Sequence, residues 1–253
     1  MLKLDSSEKN LSKVIPKIIH YCWFGKSKKP ADVLKNISGW RELHPDFEIK
    51  EWNEQNFDIN VCAYVREAYD SRKFAYVSDY ARGYALRKDG GIYLDCDVEL
   101  IGRLDMFLHH PAFWGFEAGN YVATSIIGCV SEYSLIQNYL NQYHGRKFVM
   151  PNGAMDLTTN VVVVNRLLDL QGLIHDGKYQ VLKDQSVVYP MEFFSPLDYT
   201  RHTNHRNQNT VAIHHYQHTW ASSGQKFRRL IKKFSAKIFG LNLTQKLKQY
   251  FKK

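Results

Sequence analysis

Residues 78–97, SDYARGYALRKDGGIYLDCD, constrain the fold more than any other part of this chain. Ala81, Tyr84, Ala85 and Lys88 recur on one side of a helical register, and Asp79, Arg82 and Leu86 on another. That spacing predicts a helix opening at Ser78 and running to about Lys88. Asp89-Gly90-Gly91 stops it, because glycine alone turns so tightly at no steric cost. Ile92-Tyr93-Leu94 then reads as a short apolar strand delivering Asp95-Cys96-Asp97 at its carboxyl end, with Glu99 close behind. Helix, turn and strand in direct succession belong to layered α/β architecture, and in open α/β sheets ligands bind beyond the carboxyl ends of the strands.

An Asp-x-Asp pair alone is a weak signal, so its setting has to decide. Clustered carboxylates repel one another unless a cation or a base joins them. One reading is an exposed strand end with solvated acids. The other is a divalent cation held by one or two of these carboxylates together with substrate phosphates.

The rest of the chain supports one α/β domain. Residues 14–23 read as a first buried strand, and Asp32 is placed to cap a helix carrying Val33, Ile37 and Trp40. A strand is expected over 47–52 and a helix over 63–69. Strands are expected over 112–116, 125–130, 187–189 and 211–216, and helices over 133–143 and from Thr158 or Thr159 to Leu170. Strand–helix alternation followed by a mixed region predicts a mostly parallel sheet. At 253 residues and 44% hydrophobic content the chain is long and apolar enough for a sizeable core. Cys22, Cys62, Cys96 and Cys129 are scattered with no C-x-x-C pair, which argues against a zinc site or a disulfide framework and fits a reducing compartment. No secretory leader is evident at the amino terminus, and no run of 18 apolar residues occurs.

Three segments, IPKIIHYCWFG, KFAYVSDYARGYALRKDGGIYLDCDVEL and AIHHYQHTW, occur in this order. Together they resemble the bacterial sugar transferases of glycosyltransferase family 32, which carry an Asp-x-Asp sugar-binding region and are related to the glucosylating clostridial toxins. The resemblance runs over residues 15–220. It implies a GT-A fold, a single Rossmann-like nucleotide-sugar domain, and transfer with retention of the donor's anomeric configuration.

The resemblance also implies roles for individual residues. Trp23 stands where relatives stack the donor's nucleobase, its alternative being a core tryptophan beside the first strand. Asn56 aligns with a nucleoside contact or serves a turn, and Ser78 aligns near the nucleoside or caps its helix. Asp79 and Arg82 match residues that hold the donor hexose; their i,i+3 spacing puts them on one helix face, where a surface ion pair is the plainer reading. Tyr93 precedes the acids and is a donor contact or core. Asp95 is expected to bind sugar or ribose hydroxyls and to reach the metal through water, and Asp97 to ligate the metal directly. Counting back from Trp220, the expected contact to the leaving phosphate, places His215 where the toxin relatives have a carboxylate ligand. His214 faces the opposite way on a strand, so one of the two histidines serves, and His215 is preferred. An imidazole in the set favours Mn²⁺, with Mg²⁺ the other candidate. Acceptor contacts are expected from loops after Phe116 and around residues 156–160, the latter being equally a helix cap.

Charge is concentrated at the end of the chain. Residues 225–253 hold ten Lys or Arg and no acid, and the formal charge of +9 less these ten leaves −1 for residues 1–224. Phe227, Leu230, Ile231, Phe234 and Ile238 recur there at helical spacing. A basic amphipathic tail of this kind suits an anionic membrane surface, the alternative being a terminal helix packed on the body. Nucleic acid is the poorer partner, since no recognised nucleic-acid fold accompanies the charge. The expectation is therefore a transferase domain over 1–224 and a basic tail over 225–253, cytoplasmic and peripheral on the inner face of the cytoplasmic membrane. It would move a hexose, most simply from a UDP-hexose, to a saccharide or lipid-linked acceptor in surface polysaccharide or lipopolysaccharide synthesis. A toxin-like protein glycosyltransferase and a non-catalytic nucleotide-sugar-binding protein are the alternatives.

Overall fold

A computed structural model describes residues 14–199 and 201–216. The chain divides into the units Met1–His215 and Tyr216–Lys253, and the elements below all lie in the first. Trp220 and residues 225–253 fall outside the described residues.

Parallel strands β1 (Ile18–Cys22) and β2 (Glu48–Trp52) are joined through helix α1 (Ala31–Leu43). Helices α2 (Ala63–Asp70) and α3 (Phe74–Asp89) follow, then β3 (Gly91–Leu94) and β4 (Val98–Leu100). After a 3₁₀ turn come β5 (Ala112–Gly115), β6 (Ile126–Cys129), α4 (Ser134–Asn141) and α5 (Asn160–Leu170). The described chain finishes with β7 (Gln180–Val181), β8 (Val187–Tyr189), α6 (Met191–Phe194), β9 (Leu197–Asp198), β10 (Thr203–Asn204) and β11 (Ala212–His214).

Seven strands form the central sheet in the order β2-β1-β3-β6-β5-β8-β7. The pairings β1–β2, β1–β3 and β5–β8 are parallel, while β6 and β7 run against their neighbours. Five of the seven strands thus point one way, the largely parallel mixed α/β arrangement expected for a GT-A domain. All four residues of β3 are buried, as the Ile-Tyr-Leu run requires of a central strand covered on both faces. Because β1, β2 and β3 are parallel neighbours, their carboxyl ends lie along one edge, where Trp23, the turn holding Asn56, and Asp95–Asp97 emerge together.

The expected elements recur with ends shifted by a few residues. Helix α3 opens four residues early, at Phe74, so Ser78 lies inside the helix and caps nothing. The reason is local: Arg72 takes a left-handed φ of 55°, the amide of Lys73 closes on Ala68 O at 2.8 Å, and Phe74 packs its ring 5.5 Å from that of Tyr69. A tight α2–α3 link leaves no room for the longer loop that a start at Ser78 would need. Asp32 lies in the first turn of α1, after Pro30 at the cap position, and accepts the Val33 amide at 3.1 Å.

Two glycines govern how α3 is seated. Gly91 follows the helix at φ 96°, and a Cβ there would stand 2.7 Å from Ile18 O. Gly83, in mid-helix, lets the Tyr139 ring of α4 approach to where a Cβ would lie 2.8 Å away. That approach carries the Tyr139 hydroxyl to Asp79 O at 2.6 Å, fixing the helix face that bears Asp79 and Arg82. Beneath the sheet edge, Trp40 of α1 is fully buried and donates to Val98 O at 2.9 Å, which ties β4 to the body.

Candidate active site

Asp95 leaves β3 with its amide bonded to Ser125 O at 2.8 Å, so the turn bearing both aspartates is held by β3 on one side and the β5–β6 loop on the other. Two residues on, β4 pairs antiparallel with β11, His214 standing opposite Val98. This two-stranded ribbon folds the end of the domain back onto the acids. Ligand atoms of Asp95, Asp97 and His214 all lie within 4.8 Å of one another. Two carboxylates and an imidazole form a hard-to-borderline donor set, which fits Mn²⁺ and also admits Mg²⁺.

The two histidines have different carboxylate neighbours. His214 Nε2 lies 3.4 Å from Asp97 Oδ1, whereas His215 Nε2 lies 2.8 Å from Glu99 Oε2. Alternation along β11 sends the His214 imidazole to the acidic pair and that of His215, the neighbour preferred on spacing from Trp220, to Glu99. The His215 amide still serves the turn, donating to Asp97 O at 3.0 Å. Burial opposes protonation of His214, but hydrogen bonding to Asp97 and the charges of Asp97, Asp95 and Glu117 outweigh it and raise its pKa.

The two aspartates have different surroundings. Asp95 Oδ1 accepts the Tyr93 hydroxyl at 2.9 Å and lies 3.4 Å from Arg82 Nη2. Asp97 instead faces His214. Arg82 is buried rather than on the surface: its Nη2 donates to Asp79 Oδ1 at 3.0 Å, its Nη1 to Thr124 O at 2.6 Å, and its guanidinium lies 4.6 Å over the Tyr93 ring. Burial works against charge on Arg82, and the attraction of Asp95, Tyr93 and Asp79 keeps it protonated. Burial also raises the Asp79 carboxyl to about 6, against the opposing pull of Arg82. Both partners of this buried pair are hydrogen-bonded, as buried charges require.

Along the same edge, Trp23 is half-buried, its Nε1 donating to Ser27 O at 2.8 Å and its ring facing the Lys29 ammonium at 5.8 Å. Asn56 spends its amide on its own turn, accepting from the Asn53 amide at 2.9 Å and donating to Glu51 O at 2.7 Å. Ser78 offers its carbonyl to Arg82 Nε at 3.4 Å.

Thr124, Tyr139 and Asn160 were not singled out as donor-pocket residues. Thr124, whose carbonyl holds Arg82 Nη1, donates through Oγ1 to Asn160 Oδ1 at 3.2 Å at the start of α5. Asn160 Nδ2 is buried without a hydrogen-bond partner. Local pattern marks Asn160 only as part of the 156–160 loop and does not mark Thr124 or Tyr139, because their approach to Arg82 and Asp79 comes through tertiary packing.

Asp95 and Asp97 thus stand in an Asp-x-Asp turn at the carboxyl edge of a largely parallel sheet, backed by the buried Asp79–Arg82 pair. Residues 30–114 match the family model described as the glycosyltransferase sugar-binding region containing a DXD motif. That span includes Asp79, Arg82, Asp95 and Asp97 and leaves Trp23 and His214 outside. The chain is 32% identical over 123 residues to inositol phosphoceramide mannosyltransferase 3 of Schizosaccharomyces pombe, covering 47% of this chain and 34% of the relative. It is 28% identical over 179 residues to inositol phosphoceramide mannosyltransferase 2 of the same yeast, covering 66% and 50%. The matches therefore span a third to a half of these relatives. Among solved structures, the PaToxG glycosyltransferase aligns with a TM-score of 0.47 at 18% identity, over 62% of this chain and 69% of that one.

Proposed function

We propose that this chain is a metal-dependent, retaining glycosyltransferase that moves a hexose from a nucleotide sugar, most simply a UDP-hexose, to a saccharide or lipid-linked acceptor. The observation that carries this reading is the meeting of Asp95, Asp97 and His214 within 4.8 Å beside the buried Asp79–Arg82 pair. Asp97 and His214 would hold the metal, and Asp95 beside them would serve the sugar hydroxyls. A divalent cation held there supplies positive charge to the leaving diphosphate. Arg82, fixed by Thr124, Asp79 and Asp95, donates to donor hydroxyls without having to be ordered first. The Tyr93 hydroxyl orients Asp95, and Trp23 offers an aromatic face for the base at the same sheet edge.

The relatives named above are mannosyltransferases whose names specify a lipid, inositol phosphoceramide, which supports a lipid-linked acceptor and admits a mannose donor. A role in surface polysaccharide or lipopolysaccharide synthesis, and a peripheral position on the inner face of the cytoplasmic membrane through residues 225–253, complete the proposal. Equal flotation on anionic vesicles with and without those residues would remove the membrane part. The enzymatic part is tested by nucleotide-sugar hydrolysis in Mn²⁺ and Mg²⁺. Turnover in the wild type and its loss in Asp97→Asn are expected. Hydrolysis that survives both metal chelation and Asp97→Asn, or that is absent for every donor, would overturn it.

A further inference from the structure

Strand β5 runs parallel to β3, since each is antiparallel to β6, so its carboxyl end lies at the sheet edge that bears Asp95 and Asp97. From there residues 116–122 turn back as a hairpin, with Phe116 bridged to Val122 and the Glu117 amide bonded to Tyr121 O at 2.8 Å. Its returning arm leads straight into the site: Thr124 O accepts Arg82 Nη1 at 2.6 Å, and Ser125 O accepts the Asp95 amide at 2.8 Å. Along that arm, Asn165 of α5 holds both polar groups of the Val122 backbone, accepting from the amide and donating to the carbonyl, each at 2.9 Å. The tip is fastened by His175, in the loop after α5. Its Nδ1 lies 2.9 Å from Asn120 O and its Nε2 2.8 Å from Asp169 Oδ1, while Asn120 Nδ2 donates back to His175 O at 3.2 Å.

We propose that His175 is a positioning residue for the sugar-binding site, an imidazolium that straps the 116–122 hairpin to the end of α5. The positioning role rests on the transferase reading above, whereas the strap stands without it. Hydrogen-bond type decides the charge. A carbonyl and a carboxylate both only accept, so each ring nitrogen has to carry a proton, and an imidazole with both protons is a cation. A neutral ring, in either tautomer, sets a lone pair against one of the two oxygens and loses that contact.

The surroundings favour the charged ring. Asp169 stands in the last turn of α5, which carries no basic residue, so the negative end of the helix dipole and this carboxylate both call for a cation. His175 supplies it. The Tyr121 ring lies 5.5 Å from the imidazole, and Asp176 and Lys178, on the same loop as His175, stand 3.9 Å from each other. The hydrogen bond to Asn120 O is the largest influence on the His175 pKa and, with Asp169, raises it against the effect of burial. The hairpin tip also fits closely: Gly177 takes φ 75°, and a Cβ there would stand 2.9 Å from Asn120 Oδ1. With its folded-state pKa above the unfolded value, the strap is complete below about 6.5 and is lost as pH rises through the raised pKa.

The test uses the full-length chain as wild type, His175→Gln and Asp169→Asn. The two side chains are 37% and 48% exposed, so neither change threatens the fold. Imidazole ¹⁵N spectra are expected to show both His175 nitrogens protonated at about pH 6, with a pKa above the ordinary value that falls in Asp169→Asn. Amide exchange at Glu117 and Val122, corrected for the intrinsic rate, should lose about threefold or more of its protection between about pH 6 and pH 9 in the wild type and stay level in His175→Gln. For UDP-glucose hydrolysis with Mn²⁺, kcat/KM of the wild type should exceed that of His175→Gln by about threefold or more at about pH 6, the two converging near pH 9. Ionisations common to both proteins cancel in that ratio. A wild-type His175 pKa at or below 6.5, or protection unchanged across the titration, overturns the strap. A ratio that is the same at both pH values overturns the positioning role and leaves the transferase reading standing. A wild type that hydrolyses no nucleotide sugar removes the transferase reading and the positioning role with it, and the spectra and exchange still decide the strap.

Discussion

His214 Nε2 and Asp97 Oδ1 are 3.4 Å apart, although 117 residues separate the two in sequence. The antiparallel β4–β11 ribbon brings them together, and it sends the adjacent His215 to Glu99 instead. His214→Ala should therefore raise the Mn²⁺ concentration for half-maximal donor hydrolysis by about 10-fold or more, with His215→Ala closer to wild type. Metal titrations of both variants check this, and equal shifts would dissolve the distinction.

Arg82 is the only cation described in contact with both Asp79 and Asp95. Removing one partner of a buried ion pair leaves an uncompensated charge and costs about 3–5 kcal/mol. Arg82→Ala should lose stability on that scale in denaturant unfolding as well as donor turnover. Asp79→Leu combined with Arg82→Met should recover much of the stability and none of the turnover. A stable, active Arg82→Ala protein would show that the pair is dispensable.

His20 supplies a pH prediction away from the Asp95–Asp97–His214 group. It is fully buried, with Nε2–H donated to Gly90 O at 2.7 Å and Nδ1 accepting from Trp52 Nε1 at 3.0 Å, which fixes the neutral tautomer. Burial lowers its pKa to about 4, against a partial upward effect of Gly90 O. The unfolded chain therefore takes up a proton first as pH falls. This contribution to stability is complete above about 6.5 and is lost between about 6.5 and 4, amounting to about 3 kcal/mol. Unfolding curves across that window should show the slope in the wild type and a shallower one in His20→Gln.

Gly91 joins α3 to β3 at φ 96°, with Ile18 O in the place of a side chain. Gly91→Ala meets both backbone strain and that carbonyl, so a loss of at least about 1–3 kcal/mol is expected. Since β3 delivers the aspartates, Mn²⁺ affinity should weaken with it. Wild-type stability in this variant would mean that the turn relaxes freely.

Much of the domain could be read from local pattern. The Gly-Gly stop, the buried Ile-Tyr-Leu strand and the acids after it depend on neighbours within a few residues, and the structure keeps all three. The start of α3 was misplaced because Ser78 is a good cap in isolation, whereas the α2–α3 link and the Tyr69–Phe74 contact draw the helix back to Phe74. Ribbon β4–β11 was not foreseen as a pair, since three-residue strands far apart in sequence carry no common periodic signal.

The sequence by itself determined the order of helix, turn, strand and acidic pair, a segment that lies within the match to the DXD sugar-binding family model. Local sterics and hydrophobic period act between near neighbours, so the linear text contains them. Tertiary structure alone decided which histidine meets Asp97, that Asp79 and Arg82 are buried rather than solvated, and that Tyr139, Thr124 and Asn160 surround them. Those outcomes depend on register and on close approach between distant segments, where a shift of one residue turns a side chain to the opposite face.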